Sequence, residues 1–141
     1  MNVTFYDIQP DARLPRIATL VNAAWERGKR VLVTCANAEE VSELDAWIWK
    51  FDEVAFIPHE VVAEGADPKD PDARIVLVEG EHDPIGAEVL LQASPVSRSF
   101  ARAFPYVIDL VDHRSEGALE ASRARYKAWV QDGVKPAFIK R

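Results

Sequence analysis

Apolar runs of strand length alternate with amphipathic stretches of helix length along almost the whole chain, and that alternation limits the available folds most sharply. The clearest run is Arg30-Val31-Leu32-Val33-Thr34-Cys35, apolar without a break, as expected of a strand covered on both faces. Ahead of it, Val3 to Ile8 has the Val, Thr, Phe and Tyr content of a strand. Between the two, Leu14, Ile17, Leu20, Val21 and Ala24 recur at helical spacing and Gly28 supplies a stop, predicting a helix from about Arg13 to Arg27. A second helix is expected from about Ala38 to Lys50, with Val41, Leu44, Ile48 and Phe51 on one stripe. Further strands are predicted over Val54–Ile57, Arg74–Val78, Glu88–Gln92 and Tyr106–Val111, with a short helix over Ser97–Ala103. A last amphipathic helix runs from about Glu116 to Gln131 and stops near Gly133 and Pro136.

Strands that alternate with helices call for a mostly parallel central sheet with helices on both faces, a three-layer α/β/α arrangement. The 141 residues suit one such domain spanning 1–141. Sheets of this kind often bind nucleotides through a glycine-rich turn after the first strand, where backbone N–H groups approach the phosphate. Here that turn is Gln9-Pro10-Asp11-Ala12, with no glycine, a proline that lacks an N–H, and an added negative charge. Gly28-Lys29 resembles the end of a phosphate-binding loop but follows a helix, and Ala23 stands where the first glycine would be. The expected fold is therefore Rossmann-like without a phosphate-binding loop, and no cofactor is expected.

Other chemistry finds little support. Cys35 is the only cysteine, so no disulfide framework exists, and its apolar run suits a small core side chain. His59, His82 and His113 stand singly, at none of the spacings that mark zinc sites. Asp67, Asp70 and Asp72 lack the glycine and closing glutamate of a calcium loop, and a solvated acidic loop is the expectation. His59 follows Pro58 beyond a strand, where a hydrogen-bonded structural histidine is expected over a catalytic one. No acid–base pair or nucleophile stands out, so a non-catalytic protein is predicted. The N-terminus lacks a signal-peptide pattern, and no apolar run approaches the roughly 18 residues of a membrane span, which predicts a cytoplasmic protein.

Charge and aromatic residues carry the remaining signal. The net charge of −6 divides into −10 over residues 1–113 and +4 over 114–141. An acidic body disfavours tight binding of free nucleic acid, while a basic end suits an acidic peptide. Trp47 and Trp49 are two apart on the second helix and cannot both enter one core, so at least one should be exposed or line a pocket. Arg123, Tyr126 and Lys127 share one flank of the last helix, a setting for an acidic peptide that ends in an aromatic residue. Tyr126 in the core with Arg123 and Lys127 merely solvated fits the same spacing.

The chain as a whole resembles the chi subunit family of the bacterial DNA polymerase III holoenzyme. The resemblance is carried, in order, by Thr4-Phe5-Tyr6, Gly28-Lys29-Arg30-Val31-Leu32-Val33, Leu44-Asp45 with Ile48-Trp49, Phe56-Ile57-Pro58-His59, Glu64-Gly65, Val107-Ile108-Asp109-Leu110-Val111, and Arg123-Ala124-Arg125-Tyr126-Lys127-Ala128-Trp129. It implies a non-catalytic replication subunit that links the clamp loader, through the psi subunit, to single-stranded DNA-binding protein. The link would be made by capturing that protein's acidic C-terminal tail, which ends in Pro-Phe. The resemblance places Trp49, Phe56, Arg123 and Tyr126 at the tail pocket, with Lys127 beside them. Arg123 would meet the carboxylates and the aromatic residues would hold the phenyl ring. Where some members carry a lysine one turn before the arginine, this chain has Leu119. The alternatives are a module for a different acidic partner, or a nucleotide-dependent enzyme with an unfamiliar site.

Overall fold

A computed structural model describes residues 1–51 and 57–140. Seven strands form one sheet: β1 (Asn2–Ile8), β2 (Val31–Cys35), β3 (Glu60–Val61), β4 (Ile75–Glu79), β5 (Val89–Gln92), β6 (Tyr106–Asp112) and β7 (Ala137–Lys140). Four helices connect them: α1 (Arg13–Glu26), α2 (Ala38–Lys50), α3 (Arg98–Ala101) and α4 (Glu116–Gln131). The sheet order is β3-β4-β2-β5-β6-β1-β7, and every pair is parallel.

Each helix begins or ends where the sequence supplies the means. The Asn37 side chain accepts from the Glu40 N–H at 2.9 Å, and the Glu40 carboxylate accepts from the Ala36 N–H at 3.0 Å, fixing the start of α2. Ser115 caps α4 by accepting from the Ala118 N–H at 3.0 Å. Gly28 takes φ +73° just past α1, a left-handed turn that favours glycine.

The period-2 alternation of the strands sorts the core into two layers. Val31, Val33, Leu77 and Leu91 face α1 and α2, which contribute Ile17, Val21, Leu44 and Ile48. Phe5, Leu32, Val76 and Val107 face the other way, toward α3 and α4, where Ala101, Phe104 and Trp129 cover them. The connections running from β1 toward the β3 edge carry α1 and α2. Those running back toward β7 carry α3 and α4, as right-handed crossovers require. Val31–Cys35 is buried at every position. Burial pushes the Cys35 thiol up to about 12, so it stays protonated and packs as a hydrophobe.

Two strands differ from the expectations. β7 was not anticipated, because Pro136 and the chain's last residues resemble a loose end; pairing with β1, from Thr4 beside Ala137 to Asp7 beside Lys140, makes it a strand. β3 is only Glu60–Val61, held in register beside Val76 and Leu77 of β4. Of the strand expected over 54–57 only Ile57 is among the described residues, and it is buried outside any strand.

Candidate partner-binding grooves

In a doubly wound sheet the crevice beyond the strand C-termini, where neighbouring strands send their helices to opposite faces, is the usual ligand site. Here β6 leads to α4 on one face and β1 to α1 on the other, so the crevice lies beyond Ile8, Gln92 and Asp112. It holds only ≈ 20 Å³ of free space. Charged side chains fill it in pairs. Arg125 donates to both oxygens of the buried Asp109, at 2.7 and 3.1 Å. Arg114 grips Asp112 at 2.7 and 2.9 Å, His113 meets Asp7, and Arg13 bridges Glu40 at 3.1 Å. Burial pushes the Asp109 carboxyl above its usual range against the pull of Arg125, whereas the Arg114 guanidinium holds Asp112 below it. Among the described residues no group of three or more His, Cys, Asp or Glu is placed to hold a metal ion.

A pocket of ≈ 240 Å³ adjoins the crevice between Gln92, Arg98, Arg125 and Trp129, and a second apolar space lies at the β7 edge. A groove of ≈ 300 Å³ runs between α4 and the strand pair β1–β7, walled by Phe5, Val111, Leu119, Tyr126 and Phe138. Tyr126 packs edge-on against Phe5 at 5.2 Å between centroids, and its hydroxyl donates to the Pro136 carbonyl at 3.4 Å. Tyr126 is thus both a core residue and a groove wall. Arg123 stands on the rim with its side chain 62% exposed, paired with a still more exposed Glu120 at 3.0 Å. An exposed pair three residues apart is weak, so Glu120 can yield Arg123 to another carboxylate at little cost. Lys127 is exposed one turn beyond Arg123 on α4 and does not line the groove. Leu119, one turn before Arg123, forms an apolar wall of the groove.

Trp49 is elsewhere. It sits near the end of α2, 44% exposed, in a cleft of ≈ 290 Å³ with Trp25, His59, Asp72 and Arg74. Its ring lies 4.2 Å from that of His59. The buried His59 places Nδ1 at 2.8 Å from the Ile57 carbonyl and Nε2 at 2.9 Å from Asp45, so it is the hydrogen-bonded structural histidine expected. Arg74 lies 3.7 Å over the Trp25 ring, and Trp47 is half-buried under Lys50. α2 covers the face opposite α4, and this cleft borders β4 near the β3 edge. The structure brings Arg123 and Tyr126 together in one groove and places Trp49 in another, with the sheet between them. Phe56 lies outside the described residues.

Sequence reasoning missed Phe5, Val111 and Phe138 as groove walls. Phe5 and Val111 carry the same alternating pattern as core strand residues, and Phe138 belongs to the unanticipated β7.

A parallel seven-stranded sheet with charge-paired side chains at its strand ends, an apolar groove at the β7 edge and helices on both faces is a three-layer α/β fold. The chain belongs to the family described as DNA polymerase III chi subunit, HolC, which matches residues 1–137. It is similar to DNA polymerase III subunit chi of Pseudomonas aeruginosa, 32% identical over 135 residues that cover 93% of this chain and 90% of the relative. The Escherichia coli subunit chi is 25% identical over 135 residues, covering 91% of this chain and 90% of that one. In fold, 99% of the chain matches 41% of a chain in the crystal structure of T4 UvsW, with a TM-score of 0.68 at 9% identity, a likeness of architecture alone. The chain is accordingly a subunit of the DNA polymerase III replication machinery and not its catalytic one. Among the described residues no helix is long and apolar enough to cross a membrane.

Proposed function

We propose that this subunit is an adaptor that captures the acidic C-terminal tail of single-stranded DNA-binding protein in the groove between α4 and β7. The observation that carries the reading is an apolar slot with an exposed, weakly held arginine on its rim. The tail's terminal phenyl ring would enter between Tyr126, Phe138 and Leu119, and Arg123 would turn from Glu120 to the terminal carboxylate. Lys127 would act at longer range on the preceding aspartates. An adaptor to the clamp loader needs a second, non-overlapping surface. The Trp49 cleft, on the opposite face, would be the surface that meets psi. The −10 charge over residues 1–113 opposes direct binding to naked DNA, so recruitment to single strands would run through the protein that coats them.

The test is a fluorescence titration of an Asp-rich peptide ending in Pro-Phe, with and without its final phenylalanine, against wild type and Arg123→Ala. Binding should require both the phenylalanine and Arg123. Equal binding of the shortened peptide would overturn the reading. A pull-down of psi by Trp49→Ala separates the two surfaces: psi should be lost while the peptide still binds.

A further inference from the structure

We infer that β7 is itself a docking edge: the acidic peptide that fills the groove adds a strand to the sheet along Ala137–Lys140. This rests on the reading of the groove as a peptide pocket and states how the rest of the peptide is held. Among the described residues β7 ends the sheet order and pairs with β1 alone, so its other side presents backbone N–H and C=O groups that no described strand pairs. The opposite edge, β3, has two residues against four in β7, and offers a strand far less to pair with.

The register joins this edge to the groove. Phe138 stands beside Phe5 and Lys140 beside Asp7, so both point to the face covered by α4. Phe138 is 52% exposed and forms the outer wall of the groove. A strand laid against β7 would lie about 4.8 Å beyond it and aim every second side chain toward that wall. A peptide can therefore pair along β7 and drop its terminal ring over Phe138 into the slot without a break in its path.

Charge selects the occupant. Lys135 and Lys140 bracket β7, both exposed, with Lys127 exposed on α4. A second copy pairing through the same edge would set these lysines against their own kind, which opposes self-association. An extended aspartate-rich segment meets them with opposite charge. Backbone pairing would supply affinity that depends little on the peptide's sequence, while the groove reads its last residue.

The experiment is an N-methyl scan of the Asp-rich, Pro-Phe-ended peptide, with backbone amide exchange followed by NMR in the full chain. Methylation at alternate positions upstream of Pro-Phe should weaken binding about 3- to 10-fold each, and the interleaved positions should tolerate it. Alternate amides within 137–140 should gain exchange protection when the peptide binds. If every position tolerates methylation while removal of the phenylalanine still abolishes binding, strand addition is wrong and the groove reading stands. Uniform weakening at all positions also overturns it, since pairing along one edge demands alternation. If the unmodified peptide does not bind, or binds unchanged without its phenylalanine, the groove reading falls and strand addition falls with it.

Discussion

The crevice beyond the strand ends and the groove at the β7 edge use the same residue types to opposite ends. In the crevice, arginines are matched one to one with acids, Arg125 with Asp109 and Arg114 with Asp112, leaving ≈ 20 Å³. In the groove the space is ≈ 300 Å³, the walls are mostly apolar beside Asp7, His113 and Ser122, and among the described residues Arg123 pairs with an exposed glutamate. Charge-paired side chains occupy the point where this architecture ordinarily binds a ligand, and an apolar groove lies open at the periphery.

The contrast is broken most forcefully by Arg125→Ala. Asp109 is 2% exposed, and the substitution would strand its carboxylate without a counter-charge, costing about 3–5 kcal/mol of stability by urea unfolding. Burial already raises that carboxyl, and loss of Arg125 would raise it further. The deficit should therefore narrow as pH falls and Asp109 takes up a proton. Replacing both partners, with Arg125→Met and Asp109→Asn, should recover most of the loss. Arg123→Ala should do the reverse. Its fold should survive, while peptide affinity drops roughly 10- to 150-fold, the loss of a charge-assisted contact of about 1.5–3 kcal/mol. If Arg123→Ala unfolded the chain, or Arg125→Ala impaired only binding, the two regions would not be the opposites described.

The sheet, its helices and the missing glycine-rich turn were legible in the sequence because each has a local cause, whereas the arginine–carboxylate pairs that fill the crevice were not. Val31–Cys35 is an unbroken apolar run, Gly28 ends a helix, and Pro10-Asp11 removes any phosphate cradle. β7 was not legible, since a four-residue strand, exposed or half-buried throughout, owes its existence to pairing with β1. The same gap hid half of the groove. Arg123 and Tyr126 were found because they lie on one helix flank at a spacing that places them together. Trp49 was grouped with them through family resemblance, and only the sheet topology separates it, since α2 and α4 cover opposite faces. Trp47 and Trp49, two apart on α2, do not share a core: one is half-buried and the other 44% exposed.

A smaller change sharpens the groove's character. Leu119→Lys exchanges an apolar wall for a basic rim beside Arg123. An exposed charge of this kind contributes about 0.2–1 kcal/mol, and the lysine's methylene stem keeps most of the wall against the ring, so peptide affinity should rise up to about five-fold at low ionic strength. The gain should vanish as salt approaches 1 M, where the screening length is about 3 Å. A gain that persisted in high salt would mean that Leu119 obstructs the slot sterically and that its replacement relieves packing.

The smallest expected effect lies in the acid limb of stability, where two carboxyls of the crevice act with opposite sign. The Arg114 guanidinium, bonded to Asp112, lowers that carboxyl from 3.8. Its stabilisation is fully present above 3.8 and is lost as pH falls through the lower folded value. Asp109 is raised from 3.8, so the folded chain takes up its proton more readily than the unfolded one, and stability is gained as pH falls through the folded value toward 3.8. Asp112 is partly open to solvent, so its share is only a few tenths of a kcal/mol. Asp112→Asn keeps an acceptor for Arg114 and removes the titration. Below pH 3.8 the variant should lose stability less steeply than wild type in thermal melts, and above it the two curves should run parallel. A steeper acid limb in the variant would mean that Arg114 stabilises the folded chain through some contact other than Asp112.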